Sequence, residues 1–165
     1  MTEKWPETRL GTELYGLNRE FLELLRDGAR EPHVFGLDAP LRQRLAGFNP
    51  AQLDSIARTP CLLASFSVLP PTRSARRVAE PAGPRATPMP AALAEAARLF
   101  AASLLAWLWH AAREDRLLAV LCMGPGLNDL DGLAGAPFSE LQRAAVTATE
   151  HLEARFCRHP RLWPD

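Results

Sequence analysis

The segment Leu45-Ala46-Gly47, followed after five residues by Leu53, recurs as Leu133-Ala134-Gly135, followed after five residues by Leu141. At the same offset of 88 residues, Phe35-Gly36 lies over Met123-Gly124, Ala57 over Ala145, and Leu17 and Phe21 over Leu105 and Trp109. A slip of two residues sets Phe66 over Phe156. A duplicated helical unit accounts for this pattern economically, because each copy can bury its apolar face against the other. The spacing predicts an all-α fold of two short helical repeat units, and it points to binding more than to chemistry.

Between the copies the composition changes. From Leu69 to Pro90, six prolines alternate with Arg73, Arg76, Arg77 and Arg85, and there are few apolar residues to bury. Ordering such a stretch costs conformational entropy with little burial in return, so it reads as a linker. The expected division is therefore a first unit at 1–69, a Pro/Arg-rich linker at 70–90 and a second unit at 91–165. The linker arginines are the candidate phosphate contacts, since a basic arm can add salt-sensitive affinity to a complex held elsewhere. A solvated linker kept soluble by its charges is the competing reading. The chain of 165 residues is 47% hydrophobic, enough for a proper core, and its formal net charge is zero. It lacks the basic excess of a protein that grips nucleic acid unaided, so DNA contact is expected only indirectly or within a complex.

Helical periodicity is clear at several places. Leu14, Leu17, Phe21, Leu24 and Leu25 make one stripe from Thr12 to about Asp27, and Gly28 stands where a left-handed residue often ends a helix. Asp38 can cap a short helix carrying Leu41 and Leu45 and ended by Gly47. Asn49-Pro50-Ala51-Gln52 has the form of a capping box opening a third helix to about Arg58. The apolar run Cys61 to Leu69 suits a strand or a helix, and we favour helix through Ser65. A long helix is expected from Ala91 to about Val120 and a final one from about Ser139 to Phe156.

The first half also carries a resemblance. Leu17-Asn18-Arg19-Glu20-Phe21-Leu22, Phe35-Gly36-Leu37, Leu45-Ala46, Gln52-Leu53 and Leu62-Leu63-Ala64-Ser65-Phe66 together resemble the flagellar transcriptional regulator FlhD family over about Leu14 to Val68. The resemblance implies an all-helical, non-enzymatic protein that forms dimers, joins a zinc-binding partner subunit and takes part in transcriptional regulation. This sequence departs from the family in two ways. The position of its inter-subunit cysteine is Ala64, and its short DNA-contacting end is replaced by the linker and a second unit. An adaptor or scaffold of a secretion or motility assembly, with no DNA role, is the alternative.

Signals for chemistry are weak. His33, His110, His151 and His159 have no nucleophile or carboxylate at a diagnostic spacing, and His110 with Glu114 one turn on reads as structural. Cys157, His159 and His151 make a poor zinc set, and Asn128 to Gly132 lacks the position-five ligand and the closing glutamate of a calcium loop. No metal, cofactor or catalytic residue is therefore expected, and Cys61, Cys122 and Cys157 read as free thiols. Candidate interface residues are Phe100, Trp107 and Trp109 on the long helix, and Phe156, Leu162 and Trp163 near the tail. Phe100 and Trp107 lie on the densest apolar face of the long helix and the core is favoured for Trp107, Trp109 lies off that face, and the tail residues could instead fold back to cover a lobe. The start of the chain has no apolar stretch behind a basic end, so a cytoplasmic protein is expected, with a protein partner, a possible homodimer and no membrane insertion.

Overall fold

The computed structural model describes residues 9–31, 34–67, 89–123 and 130–156, and it is predominantly helical. Helix α1, Arg9–Asp27, turns Leu14, Leu17, Phe21, Leu22, Leu24 and Leu25 inward. Gly28 opens a 3-10 turn, and its backbone is not left-handed. The reason for glycine there is proximity: a Cβ would meet the Leu93 side chain at 3.3 Å and that of Val34 at 3.4 Å. A second 3-10 turn, Val34–Gly36, carries Phe35 at φ 54°, a backbone that costs a bulky residue about 1–2 kcal/mol. Burial of the Phe35 ring, edge-on to Phe21 at 6.0 Å between centroids, holds it there.

Helix α2, Ala39–Gly47, is capped by Asp38, whose Oδ1 accepts from Leu41 N at 2.9 Å. Helix α3, Pro50–Ala57, opens on the reciprocal pair between Asn49 and Gln52 that the capping box requires. Both short helices thus start and stop where the local chemistry places them.

The next segment corrects the sequence expectation. Ala64–Phe66 is not helical but a short strand, β1, antiparallel to Leu152–Ala154, β2. Helix α3 has already ended at Ala57, and Ala64 and Phe66 bury on alternate positions around Ser65. The final helix is correspondingly shorter than expected: α7 runs Phe138–Ala148, then a 3-10 turn covers Thr149–His151 before β2 begins. Leu152 to Ala154 pair with a partner strand that no local pattern announces.

The long helix is divided. Helix α4, Ala91–Glu114, stops at Asp115, and α5, Arg116–Met123, starts beyond it. Asp115 leaves the helical conformation, at φ −146° and ψ 88°, and its side chain accepts from Leu118 N at 2.9 Å, so it acts as the cap of a new helix. A short α6, Leu130–Gly135, precedes α7. By length and composition α4 could cross a membrane, a test that core helices also pass. Here its buried stripe, Leu93, Ala97, Phe100, Ala101, Leu104, Leu105, Leu108 and Ala111, packs on α1, α6 and α7.

Helices of both halves share one continuous core. Phe21 of α1 stacks on Phe100 of α4, centroids 5.1 Å apart. Helix α1 packs on α2 and α3 as α4 packs on α6 and α7, and α1 and α4 pack on each other. Element boundaries recur at the sequence offset: α2 ends at Gly47 and α6 at Gly135, α3 begins at Pro50 and α7 at Phe138, and β1 and β2 start at Ala64 and Leu152. The correspondence is looser elsewhere, since α5 lies over the two 3-10 turns of the first half.

Candidate partner-binding surface

Helix α5 is amphipathic in an unusual place. Ala119 and Cys122 are buried and Leu118 is half-buried, whereas Leu117, Val120 and Leu121 face outward. Leu117 is 70% exposed and Leu121 63%, one helical turn apart on the same face. Leu99 of α4, Phe138 and Val146 of α7 are the other large exposed apolar residues among the described ones, so all six lie in the second half. At the 88-residue offset, the first half has Gly11, Ala29, Pro32, His33, Pro50 and Arg58 in the six corresponding sequence positions. Apolar side chains left in water cost burial that a partner can recover, at about 25 cal/mol per Å2 removed from solvent.

The aromatic residues singled out in sequence separate into core and surface. Phe100 is 1% exposed and Trp107 is also buried, its indole N–H meeting no acceptor among the described residues. Both are packing residues, the role favoured for Trp107 from sequence, and neither is a surface anchor. Trp109 is different: half-buried, it donates from Nε1 to Ala136 O at 3.0 Å, with Phe138 at 6.0 Å and His110 at 4.9 Å between ring centroids. The Arg113 guanidinium lies 4.5 Å above its ring. The hydrogen bond fixes the indole on the α6–α7 connection, and Phe138 beside it extends the apolar surface outward. Phe156, with positive φ, sits half-buried beneath the guanidinium of Arg155 at 4.6 Å. Leu162 and Trp163 lie outside the described residues, as do Arg73, Arg76, Arg77 and Arg85.

Two polar sites were not anticipated from sequence. Asn18, 1% exposed, donates from Nδ2 to the carbonyls of Ala57, Thr59 and Cys61, and its Oδ1 accepts from Leu63 N at 2.9 Å. One side chain of α1 thereby holds the whole segment between α3 and β1. The signal was available, since Asn18 shares the apolar stripe of Leu14, Phe21 and Leu25, where a polar residue must find buried partners. The second site joins the halves: Arg155 donates to the carbonyls of Leu62 and Cys122, and Leu62 N donates to Cys122 O at 3.0 Å.

The electrostatics favour structure over reactivity. Burial pushes the Cys122 thiol up to about 11, with neighbouring Cys61 adding to the rise, and burial likewise raises Cys61. Both thiols therefore stay protonated and are poor nucleophiles or metal ligands at neutral pH. Burial also lowers the Arg155 pKa. On the first half, the Tyr15 hydroxyl donates to Asp54 at 3.0 Å and Arg19 donates to it at 2.8 Å, holding that carboxyl below its ordinary range. Among the described residues, no group of three His, Cys, Asp or Glu side chains is placed to hold a metal ion. Compared with protein-family models, curated proteins and solved structures, the chain matches none.

Proposed function

We propose that this chain is a non-enzymatic protein-interaction module of the FlhD type, built from two copies of one helical unit, that holds a protein partner on its second half. The observation that carries the reading is the outward apolar face of α5, Leu117, Val120 and Leu121, with Phe138 beside Trp109. A core already well filled by Leu and Phe has no need of these side chains, so their exposure supports an external partner.

The adaptor reading, without a DNA role, draws support from the arginines. Arg9 pairs with Glu13, Arg19 with Glu23 and Asp54, Arg98 with Glu95, and Arg116 with Asp131. Guanidinium groups already paired with carboxylates leave less positive potential for phosphates. The test is co-purification of the wild-type chain and the Leu117→Glu/Leu121→Glu variant with a zinc-binding regulatory subunit of the kind the FlhD resemblance implies. Loss of that subunit by the variant at unchanged melting temperature supports the module. Equal retention by both overturns the surface, and the same pair of complexes titrated with promoter DNA at several salt concentrations separates the regulatory from the adaptor reading.

A further inference from the structure

We infer that the two halves are related by a two-fold axis through the Ser65–Glu153 pair, so that one chain is a built-in dimer whose second half occupies the surface a copy of the first would fit. The inference rests on the two-copy reading above and specifies how the copies meet.

The strand register carries it. Ala64 pairs with Ala154, Ser65 with Glu153 and Phe66 with Leu152. Exchanging the halves at the 88-residue offset turns the first pair into the third, and leaves Ser65 opposite Glu153, its own counterpart. The flanking bonds obey the same exchange: Ser67 N donates to His151 O and Arg155 N to Leu63 O, both at 2.8 Å. A sliding repeat, in which each unit follows the last by translation, would not place a strand antiparallel to its own equivalent.

The helices agree. Phe21 meets Phe100, Gly28 approaches Leu93, and Arg9 feels the charge of Glu114, so α1 and α4 run antiparallel. Between the Arg9/Glu114 end and the Phe21/Phe100 stack lie Leu17 and Leu105, an equivalent pair that is buried on both helices. Two equivalent elements that cross antiparallel near equivalent residues are what an isologous interface produces, because the same patch serves both sides. The patch consists of the α1 stripe and the inner edge of β1, and its fitting partner is another copy of the unit. In this chain that copy is supplied in cis, and the two lobes have been free to diverge: the first keeps Asn18 where the second has Ala106, and the second carries the exposed apolar side chains.

Pulsed electron resonance on the full chain tests the axis. In a Cys61→Ser, Cys122→Ala, Cys157→Ser background, spin labels go in pairs at exposed Gln43 and Ser55 and at their counterparts Asp131 and Arg143. Two-fold symmetry requires the 43–143 and 55–131 distances to coincide within the widths of their distributions, as must 43–55 and 131–143. Agreement within copies but not between them overturns the axis and leaves the two-copy reading standing. Disagreement within copies overturns both. Ala51 and Ser139 replace Ser55 and Arg143 should a labelled variant lose its helical circular dichroism.

Discussion

Ser65 and Glu153 lie directly opposite each other on β1 and β2, at the middle of the antiparallel register. Directly opposed side chains interact across a strand pair, by about 0.2–1 kcal/mol for opposite charges, and like charges repel. Ser65→Lys is therefore expected to raise the urea midpoint slightly and Ser65→Glu to lower it. Raising the salt concentration should bring the two variants together, since both positions are accessible to ions.

Asn18 gives a larger effect. Replacing it by Ala leaves the buried Ala57 carbonyl and Leu63 N–H without their partner, besides the part-buried Thr59 and Cys61 carbonyls, and an unsatisfied buried group costs about 1–3 kcal/mol. Asn18→Ala is expected to lose at least that much in equilibrium urea unfolding. Asn18→Asp should lose more, because it sets a carboxylate among the carbonyls of Ala57, Thr59 and Cys61. A loss below about 0.5 kcal/mol in the Ala variant would refute the assigned role.

Phe100 joins the two halves through its stack on Phe21. Truncating a buried Phe to Ala costs about 3–5 kcal/mol by lost burial and the cavity left behind. Phe100→Ala should therefore lower the thermal midpoint strongly, whereas Leu117→Glu on the outward face of α5 should hardly move it. The contrast, read by calorimetry, checks the division of apolar residues into core and surface.

Asp54 supplies a pH dependence. Its pKa is held below the ordinary value in the folded chain, first by the Tyr15 hydroxyl and then by Arg19. The unfolded chain thus binds more protons in acid, so the contribution is fully present above the ordinary aspartate range and is lost as pH falls through the depressed folded value. Urea midpoints measured from pH 6 down to pH 3 should fall less steeply for Asp54→Asn than for wild type. Identical slopes would remove Asp54 from the acid response.

What could be read from sequence was local. The Asn49–Gln52 box, the Asp38 cap and the stripe of α1 depend on neighbours within one or two turns, and they fold as their spacing predicts. Asp115 was missed because a capping aspartate inside a continuous apolar helix resembles any exposed charge until its side chain is seen on Leu118 N. The strands are hard to read for a different reason, the first lying in a run that suits strand or helix and the second inside an expected helix. Ala64–Phe66 and Leu152–Ala154 are three residues each, too short for periodicity, and each becomes a strand only because the other is there. The aromatic residues were more legible: helical spacing sets Phe100 on the densest apolar face and Trp109 off it, and the neighbouring elements add only that the Trp109 indole is fixed on Ala136 O.

The strand pair has a consequence for the order of folding. Ser65 and Glu153 are distant in sequence, whereas the contacts of α1 with α3 and of α4 with α7 close much shorter loops. Chain entropy opposes the distant contact until the helices have collapsed, so the strands register late on the folding path and separate early on unfolding. In hydrogen exchange, Ser67 and Arg155 amides should lose protection before those of Leu22 and Leu104, making the sheet the first part of the molecule to report stress.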